Sequence, residues 1–440
     1  MRVVVLQVAV AVEGAAVAET VDALSIQRIW EQVHPFLQAA LIPDSAMQMK
    51  EAEFSEYLKG IIQDILEKLD LSIDEKTLNV LKELLRQELL GFGPIHSLML
   101  DENITDILIN GPEEVFIDRD GALVKTHVKF RDQNHLMSLI VRTLSQAGRR
   151  IDAAKPTVDA RLEDGSRINV VIPPLSSTPI VSIRKFPHTR FTLDQLVKKK
   201  FMNKEVKQLL LVGLFAKLNI IFYGGAGCGK TTLLNSLLRE VDDNERVIVI
   251  EDTAEIDLSG KHAIRLETRI SNIEGKGAIT QRDLLKNALR MRPDRLLVGE
   301  IRGDEVLDMF QAMNTGFDGS LATLHASHIN DVPMRLANLV AMTGFPYSPA
   351  FVLHQIESSL HWLVELARFH DGTRHVVAIH EVRHVKNGKL VFEPLYLYTY
   401  NKEKNAYVSD IHPERMSAYL QERFNRYAKA GKLWKDFFHE

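Results

Sequence analysis

The chain has 440 residues, of which 45% are hydrophobic and 25% charged, so it is long enough for several folded domains with sizeable cores. Its formal net charge of −4 gives no overall attraction to nucleic acid, and only a local basic patch would provide one. The single cysteine, Cys228, excludes a disulfide within the chain and a zinc site built on cysteine pairs, which is typical of a reducing compartment.

Residues 1–44 predict no defined domain. Met1-Arg2 and the apolar run that follows resemble a secretory signal, but Gln7 interrupts this run, which is too short to span a bilayer. We interpret residues 1–44 as an unassigned leader, either disordered or strand-like, or as the product of a misassigned start codon. No other stretch approaches the roughly 18 uninterrupted apolar residues of a membrane span, so none is expected.

Residues 45–91 predict a small helical module, because apolar side chains recur there at helical spacing and Gly91-Phe92-Gly93-Pro94 marks its end. Residues 92–187 predict a compact α+β domain with a helix over 133–146. Short apolar runs separated by turn residues place its strands at 104–109, 115–117, 123–128, 157–162, 168–172 and 180–186.

Residues 188–440 alternate between strand and helix patterns, which predicts an α/β domain with a largely parallel sheet covered by helices. Strands are expected at 219–223, 246–251, 263–267, 295–299 and 320–324, and helices at 230–240, 280–291, 303–315 and 330–342. After Ser348 we expect a helix, then strands near 361–368, 375–383 and 389–398, with a hairpin turn at Asn387-Gly388. A closing helix is expected over 413–439.

A glycine-rich run between a predicted strand and a predicted helix fixes the first piece of chemistry. Gly224, four further residues and Gly229-Lys230-Thr231 match the phosphate-loop pattern, in which backbone N–H groups and a helix N-terminus surround an anion. Lys230 would reach the terminal phosphates and the Thr231 hydroxyl would ligate Mg²⁺. The predicted nucleotide-binding residues are Gly224, Gly225, Ala226, Gly227, Cys228, Gly229, Lys230, Thr231 and Thr232. The chain is therefore expected to bind ATP and Mg²⁺.

Two further predicted strands end in acidic residues, and a third ends in a histidine. Glu251 and Glu255 follow one strand and Glu300 another, at the edge of the sheet where ligands of parallel α/β proteins bind. Gly299 stands where phosphate-loop enzymes usually carry an aspartate before this glutamate. His325 could hydrogen-bond a γ-phosphate oxygen, with a purely structural histidine as the alternative.

These motifs occur in one order and resemble the secretion-superfamily ATPases of type II secretion, type IV secretion and type IV pili. The similarity runs from about Val80 to His370 and rests on these segments: the phosphate loop, Glu251–Glu255, Leu289–Asp294, Val298–Arg302 and Gly319–His325. Three segments are similar to the CpaF-type ATPase of tight-adherence (Flp) pili: Leu90–Ile95, Asp159–Asn169 and Gln311–Gly316. The resemblance implies a RecA-like phosphate-loop domain preceded by a PAS-like α+β domain.

The resemblance also implies roles for individual residues. Glu300 would polarise the attacking water, and His325 would sense the γ-phosphate. Thr231, Glu251 and Glu255 would hold Mg²⁺ or its waters, and Glu255 is counted with Glu300 among the catalytic residues. Arg167 and Arg184 resemble arginines that the N-terminal domain presents to the phosphates, with surface salt bridges as the alternative. Arg302 is a further candidate of this kind.

The family resemblance implies a homohexameric ring in the cytoplasm, peripheral to the inner membrane through pilus platform proteins. The expected function is an ATP-driven motor for assembly of a tight-adherence pilus, with retraction left open. A motor of conjugation or type IV secretion is the nearest alternative. A nucleic-acid motor is the more distant one, since Lys198-Lys199-Lys200 is the most compact basic run. The four-cysteine zinc module of related branches is not expected here.

Overall fold

The computed structural model describes residues 26, 28–30, 32–33, 36, 51–89, 91–119, 121–186, 191–269, 277–344, 346–404 and 406–438. Most of the predicted leader 1–44 therefore lies outside the described residues, as do Leu90 and residues 187–190. The chain divides into two compact units, Met1–His188 and Thr189–Glu440. Within the described residues, no helix has the length and apolar character needed to cross a membrane.

The first unit contains a pair of amphipathic helices, α1 (Glu51–Lys68) and α2 (Glu75–Leu89). The Asp74 carboxylate precedes α2 and accepts a hydrogen bond of 2.8 Å from the Thr77 N–H, as an N-cap does. Apolar residues three and four positions apart place one face of each helix in a common core, as the sequence predicts. Its buried members include Trp30, Phe54, Leu58, Ile62, Leu81 and Leu85.

After α2, the first unit forms an α+β region built on an antiparallel six-stranded sheet with the strand order β3-β2-β1-β6-β5-β4. Its elements are α3 (His96–Leu100), β1 (Ile104–Asn110), β2 (Val115–Arg119), β3 (Ala122–Lys125), α4 (Gln133–Gln146), β4 (Thr157–Arg161), β5 (Arg167–Val171) and β6 (Ile180–Arg184). Every strand and the long helix expected between residues 104 and 186 are present, with ends shifted by a few residues. Asp132 caps α4 by accepting from the His135 N–H.

The second unit holds nine helices and nine strands among its described residues. The helices are α5 (Leu193–Lys198), α6 (Lys204–Phe215), α7 (Lys230–Leu238), α8 (Gln281–Ala288), α9 (Glu305–Asn314), α10 (Asp331–Ala341), α11 (Pro349–Ser359), α12 (Ala418–Arg426) and α13 (Ala428–Phe438). The strands are β7 (Ile220–Tyr223), β8 (Val247–Glu251), β9 (Ala263–Glu267), β10 (Arg295–Ile301), β11 (Leu321–Leu324), β12 (Trp362–Arg368), β13 (Arg374–Lys386), β14 (Lys389–Asn401) and β15 (Ala406–Ile411).

One sheet joins these strands in the order β15-β14-β13-β12-β7-β11-β10-β8-β9. In this order, the six strands β12, β7, β11, β10, β8 and β9 are parallel to one another. Strands β13, β14 and β15 extend the sheet beyond β12 as antiparallel hairpins. Helices α5–α7, α12 and α13 contribute to one apolar core and α8–α11 to the other, so both faces are covered. The carboxyl ends of β7, β8, β10 and β11 therefore meet at one edge of the sheet.

The expected closing helix over 413–439 is wrong as a single element. A 3₁₀ turn at Pro413–Arg415 precedes α12, and Ser417 caps α12 by accepting from the Leu420 N–H. Tyr427 has an extended backbone with ψ of 103° and separates α12 from α13. The edge strand β15 was not predicted, because its residues are mostly exposed and do not show the alternation of a half-buried strand.

Candidate active site

The glycine-rich loop lies between β7 and α7, as predicted, and its shape requires glycine. Gly224 has a φ of +152°, and a Cβ atom there would lie 2.2 Å from the Leu366 carbonyl oxygen. Gly229 has a φ of +99°, and its Cβ would lie 2.8 Å from the Phe201 ring. Helix α7 begins after Gly229 without a side-chain cap, so its first N–H groups face the loop without a side-chain acceptor. This geometry fits an anion such as a triphosphate.

Lys230 is the cation of this loop, and 7% of its surface is exposed. Its Nζ donates to the carbonyl oxygens of Gly224 and Gly225, both at 2.9 Å, and lies 3.5 Å from His325 Nδ1. Burial lowers the pKa of Lys230, although the carboxylates of Glu300 and Glu255 act in the opposite direction. The ammonium group is thus held inside the loop by carbonyl oxygens that phosphate oxygens could replace.

Glu251 ends β8 and is almost fully buried, with 3% of its surface exposed. Its Oε1 accepts from the backbone N–H groups of Glu255 and Ile256, at 2.8 and 3.0 Å, and its Oε2 accepts from Arg265 Nε at 3.1 Å. Burial raises the pKa of Glu251 to about 7. Both carboxylate oxygens therefore hold the turn that carries Glu255. The prediction that Glu251 also holds Mg²⁺ or its waters stays a prediction.

Glu255 lies beside the phosphate loop. The Thr231 hydroxyl donates to Glu255 Oε2 at 3.2 Å, which joins the first turn of α7 to the acidic segment after β8. Hydroxyl and carboxylate oxygens are ligands that Mg²⁺ prefers, and in phosphate-loop proteins they act together with phosphate oxygens and water. The residues present thus fit a magnesium ion held by Thr231 and Glu255.

Glu300 lies near the end of β10 with both carboxylate oxygens in contact with a side chain. Oε2 accepts from Arg302 at 2.7 Å, and Oε1 lies 3.2 Å from His325 Nε2. Burial would raise the pKa of Glu300, but the Arg302 guanidinium, His325 and Lys230 together outweigh burial, so the pKa is lowered. Glu300 is therefore an ionised carboxylate close to the loop.

His325 connects the lysine of the loop with Glu300. Burial, and then the charge of Lys230, lower the pKa of His325, which favours the neutral ring near pH 7. Because Lys230 can only donate, Nδ1 accepts and Nε2 carries the proton toward Glu300. The three predicted residues Lys230, Glu300 and His325 thus lie in one continuous set of contacts at the edge of the sheet.

Arg167 and Arg184 lie in the first unit, on neighbouring strands and directly opposite each other. Arg167 is 3.4 Å from Asp159, and Arg184 Nε is 3.0 Å from Asp106. The register adds Arg161 of β4 to the same row, opposite Arg167, which the sequence analysis did not single out. A catalytic role for Arg167 and Arg184 stays a prediction.

Sequence reasoning missed one arginine near this site, Arg374, and assigned a different contact to another, Arg302. Arg374 begins β13 and donates from Nε to the carbonyl oxygen of Gly227 at 2.9 Å, so it supports the loop across 147 residues of sequence. No sequence signal marks it. Arg302 was considered only as a phosphate contact, whereas its guanidinium contacts Glu300 and lies 3.4 Å from Asp252.

A parallel sheet whose central strand leads through a glycine loop into a helix, with acidic residues at the neighbouring strand ends, defines a phosphate-loop nucleoside triphosphatase. Residues 88–389 match the family described as "Type II/IV secretion system protein". The chain therefore belongs to the type II/IV secretion system protein family, and it is an ATPase.

Relatives within this family carry names from conjugation and type IV secretion. A Mycobacterium tuberculosis protein named for conjugal transfer is 34% identical over 307 residues, covering 68% of this chain and 86% of that protein. The conjugal transfer protein TrbB of Rhizobium radiobacter is 28% identical over 65% of this chain and 85% of its own length. VirB11 of Brucella suis is 31% identical over 56% of this chain and 76% of its own length.

Solved structures of related ATPases also match. The Brucella suis VirB11 ATPase is 28% identical with a TM-score of 0.36, and the match covers 66% of this chain and 95% of that one. The pilus retraction motor PilT is 17% identical with a TM-score of 0.46, covering 78% of this chain and 88% of that one. Family membership rests on the family match and on the mycobacterial relative.

Proposed function

We propose that this ATPase forms a homohexameric ring that powers assembly of a tight-adherence type IV pilus, acting from the cytoplasm on inner-membrane platform proteins. The observation that carries the enzymatic part is the contact of Lys230, His325 and Glu300 beside a loop in which Gly224 and Gly229 leave no room for a side chain. The pilus assignment is supported by the CpaF-like segments Leu90–Ile95, Asp159–Asn169 and Gln311–Gly316. We keep the division into a helical module, an α+β domain and a RecA-like domain as part of this proposal.

In the proposed reaction the loop from Gly224 to Thr232 binds the triphosphate of ATP. Lys230 exchanges its carbonyl partners for phosphate oxygens, and the N–H groups at the start of α7 add donors. Thr231 and Glu255, with Glu251 as the further predicted residue, would hold Mg²⁺ or its waters. Bound there, Mg²⁺ would offset the negative charge that builds up on the phosphates.

Glu300 orients and polarises the water that attacks the γ-phosphate, since a lowered pKa keeps its carboxylate ionised at neutral pH. His325 responds to the γ-phosphate through Lys230. When Lys230 Nζ moves toward the phosphate, its contact with His325 Nδ1 changes. Arg167 and Arg184 would supply positive charge to the transferring phosphoryl group.

The first experiment is phosphate release by the purified full chain carrying Glu300→Gln. We expect the variant to bind ATP with an affinity near that of the wild type and to lose at least about a hundredfold in turnover. Glu357→Gln is the matched control, because that carboxylate lies in the same unit and contacts His354 instead of the loop. Wild-type turnover in Glu300→Gln would refute the catalytic assignment.

The ring and its cellular role need separate measurements. Native mass measurement with and without a non-hydrolysable ATP analogue should give six copies of the chain. In a host that carries this gene, deletion should remove surface pili, and complementation with the Glu300→Gln gene should fail to restore them.

The names of the mycobacterial and rhizobial relatives favour a motor for conjugation or type IV secretion as the second candidate. Loss of plasmid transfer with intact pili would decide for it.

A further inference from the structure

Arg302 occupies a fixed position directly after β10. Its backbone N–H donates to Glu305 Oε1 at 2.7 Å, and the Gly303 N–H donates to the same oxygen at 2.9 Å. Glu305 begins α9, and 5% of its surface is exposed. Because a buried carboxylate holds both N–H groups, the side chain of Arg302 starts from a backbone that has little freedom to move.

The guanidinium group of Arg302 joins the ends of two neighbouring parallel strands. One nitrogen donates to Glu300 Oε2 at 2.7 Å, and the other lies 3.4 Å from Asp252 Oδ2, just beyond the end of β8. Thr268, beyond the end of β9, lies 3.3 Å from the other oxygen of Asp252. The planar fork of arginine suits such a two-point contact, which lysine cannot reproduce.

These contacts explain how the carboxylate of Glu300 is oriented. His325 Nε2 meets Oε1 and Arg302 meets Oε2, so each oxygen has a different partner. A carboxylate held at both oxygens keeps one orientation, and each oxygen retains a lone pair that can accept from water.

We propose that Arg302 is a positioning residue for Glu300, whose carboxylate it holds in its working orientation. This inference rests on the proposed role of Glu300. It differs from the role considered from the sequence, in which Arg302 touches the phosphates themselves.

The proposal makes a prediction about pH. The charged and titratable groups around Glu300 are Arg302, His325 and Lys230, with Asp252 and Glu255 acting on Arg302 from the segment after β8. Burial opposes ionisation of Glu300, and Arg302 provides the largest opposing effect. Loss of the arginine charge should therefore raise the pKa of Glu300, and the acid limb of kcat should move to higher pH.

The test compares Arg302→Gln, Arg302→Lys and Arg282→Gln in the full chain, with kcat measured from about pH 4 to 9, so that the range reaches below the ordinary pKa of a glutamate. ATP affinity is measured separately with a fluorescent ATP analogue. Arg282 is the matched control, because it pairs with Asp304 and Asp308 at the same end of α9. We expect Arg302→Gln to lower kcat about tenfold near neutral pH and to move the acid limb upward, with analogue affinity within about threefold of the wild type.

Arg302→Lys should return the acid limb most of the way toward the wild-type position, because lysine restores the positive charge. It should not restore the full kcat, because lysine lacks the planar fork. An unshifted acid limb in Arg302→Gln, or an equal shift in Arg282→Gln, would overturn the proposal. If Arg302→Gln does not fold, the same comparison between Arg302→Lys and the wild type decides, since a kcat equal to that of the wild type excludes a role for the fork. Wild-type turnover in Glu300→Gln would instead refute the proposed function, so the two failures are distinguishable.

Discussion

Replacement of Arg374 by methionine should weaken ATP binding although Arg374 lies 147 residues from the loop that it supports. Methionine keeps an unbranched stem near Gly229 but removes the Nε donor that meets the Gly227 carbonyl oxygen at 2.9 Å. A hydrogen bond from a charged donor contributes about 1.5–3 kcal/mol when it is well shielded from water. Arg374 is only partly buried, so we expect about 1–1.4 kcal/mol, which corresponds to a five- to tenfold higher Kd for ATP.

The assay is titration of the full chain with ATP and Mg²⁺ by calorimetry, in Glu300→Gln background so that ATP is not consumed. Arg374→Lys separates charge from geometry, because it keeps a cation but lacks the Nε donor, and it should fall between the wild type and Arg374→Met. Arg383→Met is the control on the same strand, where the arginine donates to the carbonyl oxygen of Arg415. A Kd of Arg374→Met within twofold of the wild type, or an equal loss of binding in Arg383→Met, would refute a role for Arg374 in supporting the loop.

Two further predictions concern Glu251. Its pKa in the fold is about 7 because of burial, above its ordinary 4.5, so the folded protein holds this proton more tightly than the unfolded chain does. The protonated Glu251 side chain stabilises the fold fully below about pH 4.5, and this stabilisation is lost as the pH rises through 7. Glutamine cannot ionise, so the free energy of unfolding of Glu251→Gln should rise by about 2–3 kcal/mol relative to that of the wild type as the pH increases from about 5 to 8. The free energy of unfolding of both proteins is measured against pH in the presence of EDTA. Parallel profiles for Glu251→Gln and the wild type would contradict this prediction. Gly299→Ala should cost about 1–3 kcal/mol, because its Cβ would lie 3.0 Å from Glu251 Cγ, and an unchanged melting temperature would show that the site has spare room.

The elements around the loop and the residues at their ends could be predicted from sequence patterns alone. Continuous apolar runs identify β7, β8 and β10 as buried parallel strands, and the turn that follows β7 matches a pattern that few other sites use. Glu251, Glu300 and His325 were found because ligands of parallel sheets bind where the strands end, which is a property of the sheet and not of any one residue. Their grouping was therefore predictable, whereas their individual contacts were not.

The contacts of each of these side chains could not be predicted from the sequence and are visible only in the folded chain. The position of Glu251 inside the turn depends on Arg265 and on the absence of a side chain at Gly299, and neither follows from spacing along the chain. The extension of the sheet by β13 brings Arg374 to the loop, and the fork of Arg302 lies on Glu300 because β8 and β10 are neighbours in the sheet. Sequence patterns report which faces are buried and where strands end. Contacts between residues far apart in the chain depend on strand order and side-chain direction, which only the folded chain specifies.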